Sequence, residues 1–168
     1  ISDIIEKKKE GKVLVKGWVH DTRDLGKVRF LIIRDITGII QAVAVKADKV
    51  FESMNPDRES VISIEGKAKI SKQAPGGIEI VPEKIEVLSK AEHPLPIDVS
   101  DFSKTELPKR LDYRFLDTRR RDISAIFKIR SSIYRNIVDF FDNNKFVIIN
   151  TPKITTIGLE SGAESFIV

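Results

Sequence analysis

Four side chains that could contact a nucleotide base are spaced along the first half of the sequence, at Arg23, Phe30, Gln41 and Glu79. An aromatic ring can stack on an unpaired base, and basic groups can follow the phosphates. A carboxamide both donates and accepts hydrogen bonds, so it matches the edge of a uracil. A guanidinium can contact a base edge or a phosphate, and a carboxylate can accept hydrogen bonds from guanine N1–H and N2–H₂. These residue types together would suit binding of a single-stranded nucleic acid.

Each of these residues also has a purely structural interpretation. Phe30 would be a core residue if it pointed inward with Val28 and Ile32, because phenylalanine in a strand is usually buried. Gln41 interrupts an apolar strand face, so it lies at a rim or needs a hydrogen-bond partner. Glu79 alternates with isoleucines and could simply face solvent. The residues alone leave both interpretations open.

Composition describes a globular protein with a charged surface. The 168 residues are 41% hydrophobic and 32% charged, with a net charge of +4, which supports a polyanionic partner only weakly. No apolar run approaches the ~20 residues of a membrane span. The absence of cysteine excludes disulfides and cysteine-based zinc sites, and the two histidines, His20 and His93, are too far apart to suggest a metal site. We expect a cytoplasmic protein without a metal centre in this chain.

The elements that would position the four residues follow a period of two. Turn residues such as those of Pro75-Gly76-Gly77 separate five β-branched runs, and helix formers lie between the third and fourth runs. The runs are 12–20, 28–34, 38–46, 59–70 and 77–88. This order is that of an OB-fold, a small five-stranded barrel, although other small barrels and sandwiches share much of it.

The pattern changes after Leu88. A proline-rich stretch and an arginine-rich one, 107–121, precede a helical period over 122–144, for which Asp122 can cap the start and Asn143-Asn144 suits the end. Residues 146–154 then predict a buried strand. The helix is apolar around so much of its circumference that we expect burial on more than one side, against a sheet and a second subunit. A central helix of one larger domain is the alternative.

We therefore predict three parts. These are an OB-fold barrel over 1–90, a linker or hinge over 91–121, and the start of an α/β domain over 122–168. The chain opens on isoleucine and closes on the apolar residues FIV, so we expect it to be the front part of a longer protein.

Several stretches resemble one known family. GWVHDTRDLGKVRFLIIRDITGIIQAV is similar to the anticodon-binding barrel of class IIb aminoacyl-tRNA synthetases, the aspartyl, asparaginyl and lysyl enzymes. LPIDVSDF and RLDYRFLDTRRR resemble the hinge that follows it. IRSSIYRNIVDFFDNNKFVIINTPKI resembles motif 1, and GLESGAESF the mobile loop over the amino acid. The resemblance implies an OB-fold followed by the beginning of an antiparallel-sheet catalytic domain.

The resemblance also implies roles for individual residues. Arg23, Phe30 and Gln41 match positions that recognise the middle anticodon base, which is uridine in all three tRNA types of this subclass. Glu79 matches the position that contacts the first anticodon base, a guanine or its modified form in the aspartate and asparagine cases. These residues identify the subclass and not the amino acid.

Two further residues match the catalytic half of the family. Pro152, with the helix before it, matches the motif 1 dimer interface, which implies a homodimer. Glu160 matches the loop glutamate expected near the ammonium group of the substrate. The mobile loop of the family usually has two glycines after this glutamate, whereas here Ser161-Gly162 follows, which implies stiffer closure.

The choice of amino acid and tRNA rests on finer resemblance. HDTRDLG and RLDYRFLDTRRR look most like archaeal-type aspartyl enzymes, although asparaginyl enzymes share much of them. Strict aspartyl enzymes tend to carry Trp and Lys at two positions where this chain has His20 and Pro75. That resembles the relaxed enzymes that charge both tRNA(Asp) and tRNA(Asn). Loop drift is the alternative explanation.

The implied activity is that of an aspartate–tRNA ligase. L-aspartate would attack the α-phosphate of ATP, with Mg²⁺, and the aspartyl group would pass to tRNA. The ATP-binding arginines of the family lie in motifs 2 and 3, neither of which occurs in these 168 residues, so we expect the chain alone to be inactive. The competing interpretations are part of an asparaginyl enzyme, or a non-catalytic OB-fold protein that binds single-stranded nucleic acid.

Overall fold

The computed structural model describes residues 1–100 and 104–152. The chain divides into two compact units, Ile1–Leu95 and Pro96–Val168. In the first unit five strands form a closed barrel in the spatial order β1-β2-β3-β5-β4. The strands are β1 Gly11–Asp24, β2 Val28–Arg34, β3 Ile39–Val45, β4 Val61–Ile70 and β5 Ile78–Ser89, preceded by a short helix, α1 Ser2–Glu6. This confirms the predicted OB-fold barrel.

Alternation along the strands fills the barrel interior. In β2 the inward residues Leu31 and Ile33 are fully buried, and in β3 Ile40 and Ala42 are too. Side chains in a strand alternate between the two faces, so the residues between these point outward. One continuous apolar core results, which includes Ile62, Ile64, Ile78 and Ile80 from β4 and β5.

Arg29 closes one end of this core. It alternates with Leu31 and Ile33, and its guanidinium lies 4.2 Å from the centre of the buried Phe51 ring. Its Nε donates to Asp24 Oδ2 at 2.7 Å and its Nη1 to the Phe51 carbonyl at 2.9 Å. The hydrogen bond from Arg29 holds the pKa of Asp24 below its usual value. The arginine thus ties the β1–β2 hairpin to a 3-10 turn at Phe51–Met54, the site of the helix formers in the sequence.

A buried ion pair joins β2 to the start of β4. Arg34 Nη2 donates to both carboxylate oxygens of Glu59, at 2.8 and 3.0 Å, and both residues are buried. Arg34 Nη1 lies 3.1 Å from His20 Nδ1, which therefore accepts, because a guanidinium can only donate. His20 occupies the bulge at which the β1–β2 register shifts between Val19 and Asp21.

The second unit contains three helices within its described residues, α2 Leu107–Asp112, α3 Arg114–Asp117 and α4 Arg121–Asn143. Asp117 has no exposed surface and pairs with Arg110 (Nε to Oδ1, 2.7 Å) and with Arg114. This salt bridge network holds the short helices α2 and α3 together, and Leu116 packs with Ile97 and Val99.

The start of α4 differs from the sequence prediction, and its end agrees with it. The helix begins one residue earlier than expected, with Arg120 at the N-cap and no side-chain cap. Asp122 is therefore in the first turn and pairs with Arg120 Nη2 at 2.9 Å instead of capping. The C-terminal end is as expected, because Asn144 Nδ2 donates to the Phe140 carbonyl at 2.8 Å.

The predicted burial of α4 against a sheet and a second subunit stays a prediction, and the strand predicted over 146–154 is absent from the described residues 146–152. Among the described residues of α4 only Ile123 is buried, so the broad apolar stripe is uncovered here. Residues 146–152 form no strand, and Val147 is 83% exposed. A strand needs a neighbour for its backbone hydrogen bonds, and none of the described strands pairs with this segment. No helix in 1–100 or 104–152 is long and apolar enough to cross a membrane.

The buried ion pair yields a stability prediction. Arg34→Met should destabilise the barrel by about 3–5 kcal/mol, because it leaves the Glu59 carboxylate buried without its cation. Urea unfolding followed through Trp18, the single tryptophan, measures this. Lys84→Met is the matched control, since Lys84 makes only exposed ion pairs and should change stability by less than about 1 kcal/mol. Equal stabilities for the two variants would contradict the stabilising role of the Arg34–Glu59 ion pair.

Candidate nucleic-acid interface

The strand register brings the four residues singled out in the sequence onto one outer face of the barrel. Arg23 on β1 lies directly opposite Phe30 on β2. Gln41 on β3 lies directly opposite Glu79 on β5. The two pairs adjoin through Val43, which lies opposite Phe30 and two residues from Gln41. We call this surface, formed by Arg23, Phe30, Gln41 and Glu79, the outer face.

The Phe30 ring belongs to this surface and not to the core. It is half-buried, whereas Leu31 and Ile33 on the other side of β2 are fully buried. Phe30 is also absent from the core cluster of the described residues. The interpretation of Phe30 as a core residue therefore does not hold, and part of the side chain remains exposed.

Gln41 finds its hydrogen-bond partner in Glu79. The inward neighbours of Gln41, Ile40 and Ala42, have no exposed surface, while Gln41 itself is half-buried. Its Nε2 lies 3.5 Å from Glu79 Oε2, a long hydrogen bond between two side chains that are also backbone neighbours. One N–H and the carbonyl oxygen of the carboxamide remain for a ligand.

Arg23 provides a cation at the other side of Phe30. Its side chain is 71% exposed, and its Nε makes a loose ion pair with Asp21 Oδ2 at 3.7 Å. The hairpin that carries it is braced by the Arg29–Asp24 contact described above. An exposed guanidinium on a fixed hairpin can reach a base edge or a phosphate beside the ring.

One part of the surface was missed in the sequence. Lys69 on β4 lies directly opposite Glu79, and Lys67 lies opposite Val81; both lysines are exposed. They extend the outer face with two lysines that can follow a phosphate backbone, although Lys67 Nζ also pairs with Glu83 Oε1 at 3.5 Å. The alternation of Glu65, Lys67 and Lys69 was visible in the sequence, but only the barrel order places β4 beside β5.

His20 and Pro75, the residues predicted to influence tRNA choice, are not brought together. The Val19 N–H donates to the Ser60 carbonyl and the Val19 carbonyl accepts from the Glu59 N–H, which places His20 at the start of β4. Pro75 begins the turn after the end of β4, where the Gly76 carbonyl accepts a hydrogen bond from Lys8 Nζ, two residues after α1. The strand β4, ten residues long, lies between them. An extended strand of that length spans about 30 Å.

The remaining predicted residues lie away from the barrel in sequence. Pro152 is exposed and follows α4 by nine residues, and no strand occurs in the described residues 146–152. Glu160 lies outside the described residues. No group of three or more potential metal ligands occurs within the described ranges.

The position of Phe30 on the outer face predicts a stability contrast with its neighbour. Leu31→Ala should destabilise the barrel by about 2–5 kcal/mol, because it empties a fully buried site. Phe30→Ala should cost clearly less, since the Phe30 side chain is only half-buried. Urea unfolding of the two variants compares them. A Phe30→Ala variant as unstable as Leu31→Ala would show that Phe30 is a core residue.

Two family models match the sequence. Residues 13–88 match the OB-fold nucleic acid binding domain, and residues 106–168 match the domain of tRNA synthetases class II (D, K and N). The first match covers the strands that carry the outer face.

Curated relatives and solved structures agree with these models. The aspartate–tRNA(Asp) ligase of Thermococcus kodakarensis is 46% identical over 98% of this chain and 39% of its own length. The aspartate–tRNA(Asp/Asn) ligase of Archaeoglobus fulgidus is 42% identical over 92% of this chain and 37% of its own length. The structure of asparaginyl-tRNA synthetase from Pyrococcus horikoshii with asparaginyl-adenylate aligns with a TM-score of 0.82 at 32% identity, over 93% of this chain and 36% of that one. The chain therefore belongs to the class II tRNA synthetases of the aspartyl, lysyl and asparaginyl group.

Proposed function

We propose that this chain is the tRNA-binding part of an aspartate–tRNA ligase that acts on tRNA(Asp) and also on tRNA(Asn). The observation that carries the proposal is the outer face, on which a ring, a carboxamide, a guanidinium and a carboxylate adjoin across four strands. Two family models, and relatives that are aspartate–tRNA ligases, support it. The chain spans 39% of the length of the Thermococcus relative, so the activity proposed is that of the whole protein.

The outer face would hold the anticodon in an unstacked form. The middle base, a uridine, stacks on Phe30 while Gln41 hydrogen-bonds its edge and Arg23 contacts the base or its phosphate. The first base, a guanine, donates its N1–H and N2–H₂ to Glu79. Lys67 and Lys69 lie on the far side of Glu79 and provide charge for the backbone.

The reaction of the whole protein uses ATP with Mg²⁺ to activate L-aspartate, followed by transfer to the tRNA 3′-end. Both steps depend on positioning and on charge stabilisation, which in class II enzymes come from arginines of motifs 2 and 3. In this chain Glu160 would hold the ammonium group of aspartate. The anticodon site supplies binding energy and selects the tRNA from a distance. We place the protein in the cytoplasm.

A homodimer through α4 and Pro152 completes the proposal. Ile126, Ile129, Ile133 and Ile137 are each more than half exposed in the single chain. Uncovered isoleucines along one helix indicate a surface that another protein surface covers. A second copy of motif 1 is the partner we propose.

The relaxed tRNA choice rests on His20 and Pro75. These differ from the tryptophan and lysine of strict enzymes, and the Archaeoglobus relative is an aspartate–tRNA(Asp/Asn) ligase. The Thermococcus relative, by contrast, is an aspartate–tRNA(Asp) ligase, so the comparisons include both kinds.

The stacking role gives the first binding prediction. Phe30→Ala should weaken binding of an anticodon stem-loop of tRNA(Asp) by about 1–3 kcal/mol, the contribution of one base–aromatic stack. Fluorescence anisotropy with the 168-residue chain measures the affinity. Phe30→Tyr is the matched control, because it keeps an aromatic face and should bind nearly as well. Unchanged affinity of a folded Phe30→Ala variant for the stem-loop would contradict the stacking role of Phe30.

The aminoacylation prediction concerns the whole protein. It should charge both tRNA(Asp) and tRNA(Asn) with aspartate, whereas the 168-residue chain should show no ATP–pyrophosphate exchange. Charging of tRNA(Asp) alone would contradict relaxed specificity. Charging with asparagine in place of aspartate would assign the protein to the asparaginyl enzymes, and exchange by the chain alone would contradict the placement of the ATP site.

A further inference from the structure

Gln41 and Glu79 face each other across the single parallel strand pair of the barrel. They are 38 residues apart in sequence, and Gln41 Nε2 lies 3.5 Å from Glu79 Oε2. Both side chains are half-buried on the outer face, and the pair beside them, Ala42 and Ile80, is fully buried. The two functional groups are therefore held near each other by the backbone, whatever their own hydrogen bond contributes.

The chemistry of a carboxylate fixes which end of the carboxamide faces it. An ionised carboxylate only accepts hydrogen bonds, whereas a carboxamide has a donating nitrogen end and an accepting oxygen end. Turning Gln41 over would bring its Oε1 against the Glu79 oxygens, two acceptors without a proton between them. Glu79 therefore holds Gln41 with Nε2 toward itself and Oε1 turned away, an orientation that would otherwise be free to invert.

We propose that Glu79 is a positioning residue for Gln41, and that this orientation makes the outer face select uridine over cytidine at the middle anticodon base. The inference rests on the proposed function. It assigns to Glu79 a second role, separate from its contact with the first base.

The selectivity follows from the atoms at the base edge. Uracil carries a donor at N3, whereas cytosine carries an acceptor there. When the base is stacked on Phe30, the group that faces N3 must accept for uracil and donate for cytosine. Gln41 could do either if it were free to turn. Because Glu79 keeps Gln41 Oε1 directed at the base, Oε1 accepts a hydrogen bond from N3–H of uracil. In cytosine, N3 is itself an acceptor, so it makes no hydrogen bond with Oε1.

The test separates the two roles of Glu79 by removing the first base. The ligand is an anticodon stem-loop RNA with an abasic first anticodon position and either uridine or cytidine in the middle. The measurement is the ratio of Kd for the cytidine ligand to Kd for the uridine ligand, on the 168-residue chain. Glu79→Gln should lower this ratio about tenfold, since loss of one well-oriented base contact has that effect.

Two further variants make the outcome specific. Glu86→Gln removes the same charge from an exposed position of the same strand and should leave the ratio unchanged. The exchanged pair, Gln41→Glu with Glu79→Gln, should restore the preference for uridine, because a carboxylate then faces N3 and the new carboxamide donates to it. A general loss of structure or of charge attraction would not produce this recovery.

The outcomes distinguish the inference from the proposed function. If Glu79→Gln keeps the full ratio on the abasic ligands while Gln41→Ala loses it, Gln41 discriminates unaided and the positioning role is wrong. A failure of the exchanged pair to recover the preference also overturns it. If the unaltered chain shows no preference for uridine, the proposed anticodon role of the outer face fails together with this inference.

Discussion

The closure of the barrel by a short parallel contact between β3 and β5 is the constraint on which the site depends. Only two residue pairs define this contact, Gln41 with Glu79 and Ala42 with Ile80. The inner pair belongs to the apolar core, and the outer pair to the candidate interface. Packing of Ala42 and Ile80 inside therefore aligns Gln41 and Glu79 outside, because residues paired across two strands lie on the same face.

Alternation along a strand such as β2 places core residues on one face and a candidate binding residue on the other. In β2 the inward positions hold Arg29, Leu31 and Ile33, and the outward position between the first two holds Phe30. Arg29 is beside Phe30 in sequence, yet its side chain lies on the opposite side of the sheet, where it contacts the Phe51 ring and pairs with Asp24. A strand can carry both functions because one step along the chain reverses the face.

The second unit leaves two apolar segments uncovered among its described residues. α4 exposes a row of isoleucines and phenylalanines, and the apolar residues 146–149 have no strand neighbour there. The apolar pattern predicted burial for both segments, and the helix formed while the strand did not. Helical hydrogen bonds lie within one segment, whereas a strand needs a second one.

Much of this protein was determined locally and could be predicted from the sequence. The period of two and the turn residues located five strands to within a few residues of their ends, except that β1 continues to Asp24. The helical period located α4. Strands, turns and helices depend on residues close together in the chain, so a pattern can reveal them. The chemistry of Arg23, Phe30, Gln41 and Glu79 allowed base binding, but it left a structural role for each of them open.

Other features were decided only by the tertiary structure. The direction of the Phe30 side chain, the pairing of Gln41 with Glu79, the position of Lys69 beside them and the distance between His20 and Pro75 all follow from the order β1-β2-β3-β5-β4 and its register. Period-two alternation shows that two faces exist but does not state which face is inside, since that depends on how strands distant in sequence close around the core. Register and closure are long-range properties, and for that reason the outer face became defined only when the barrel closed.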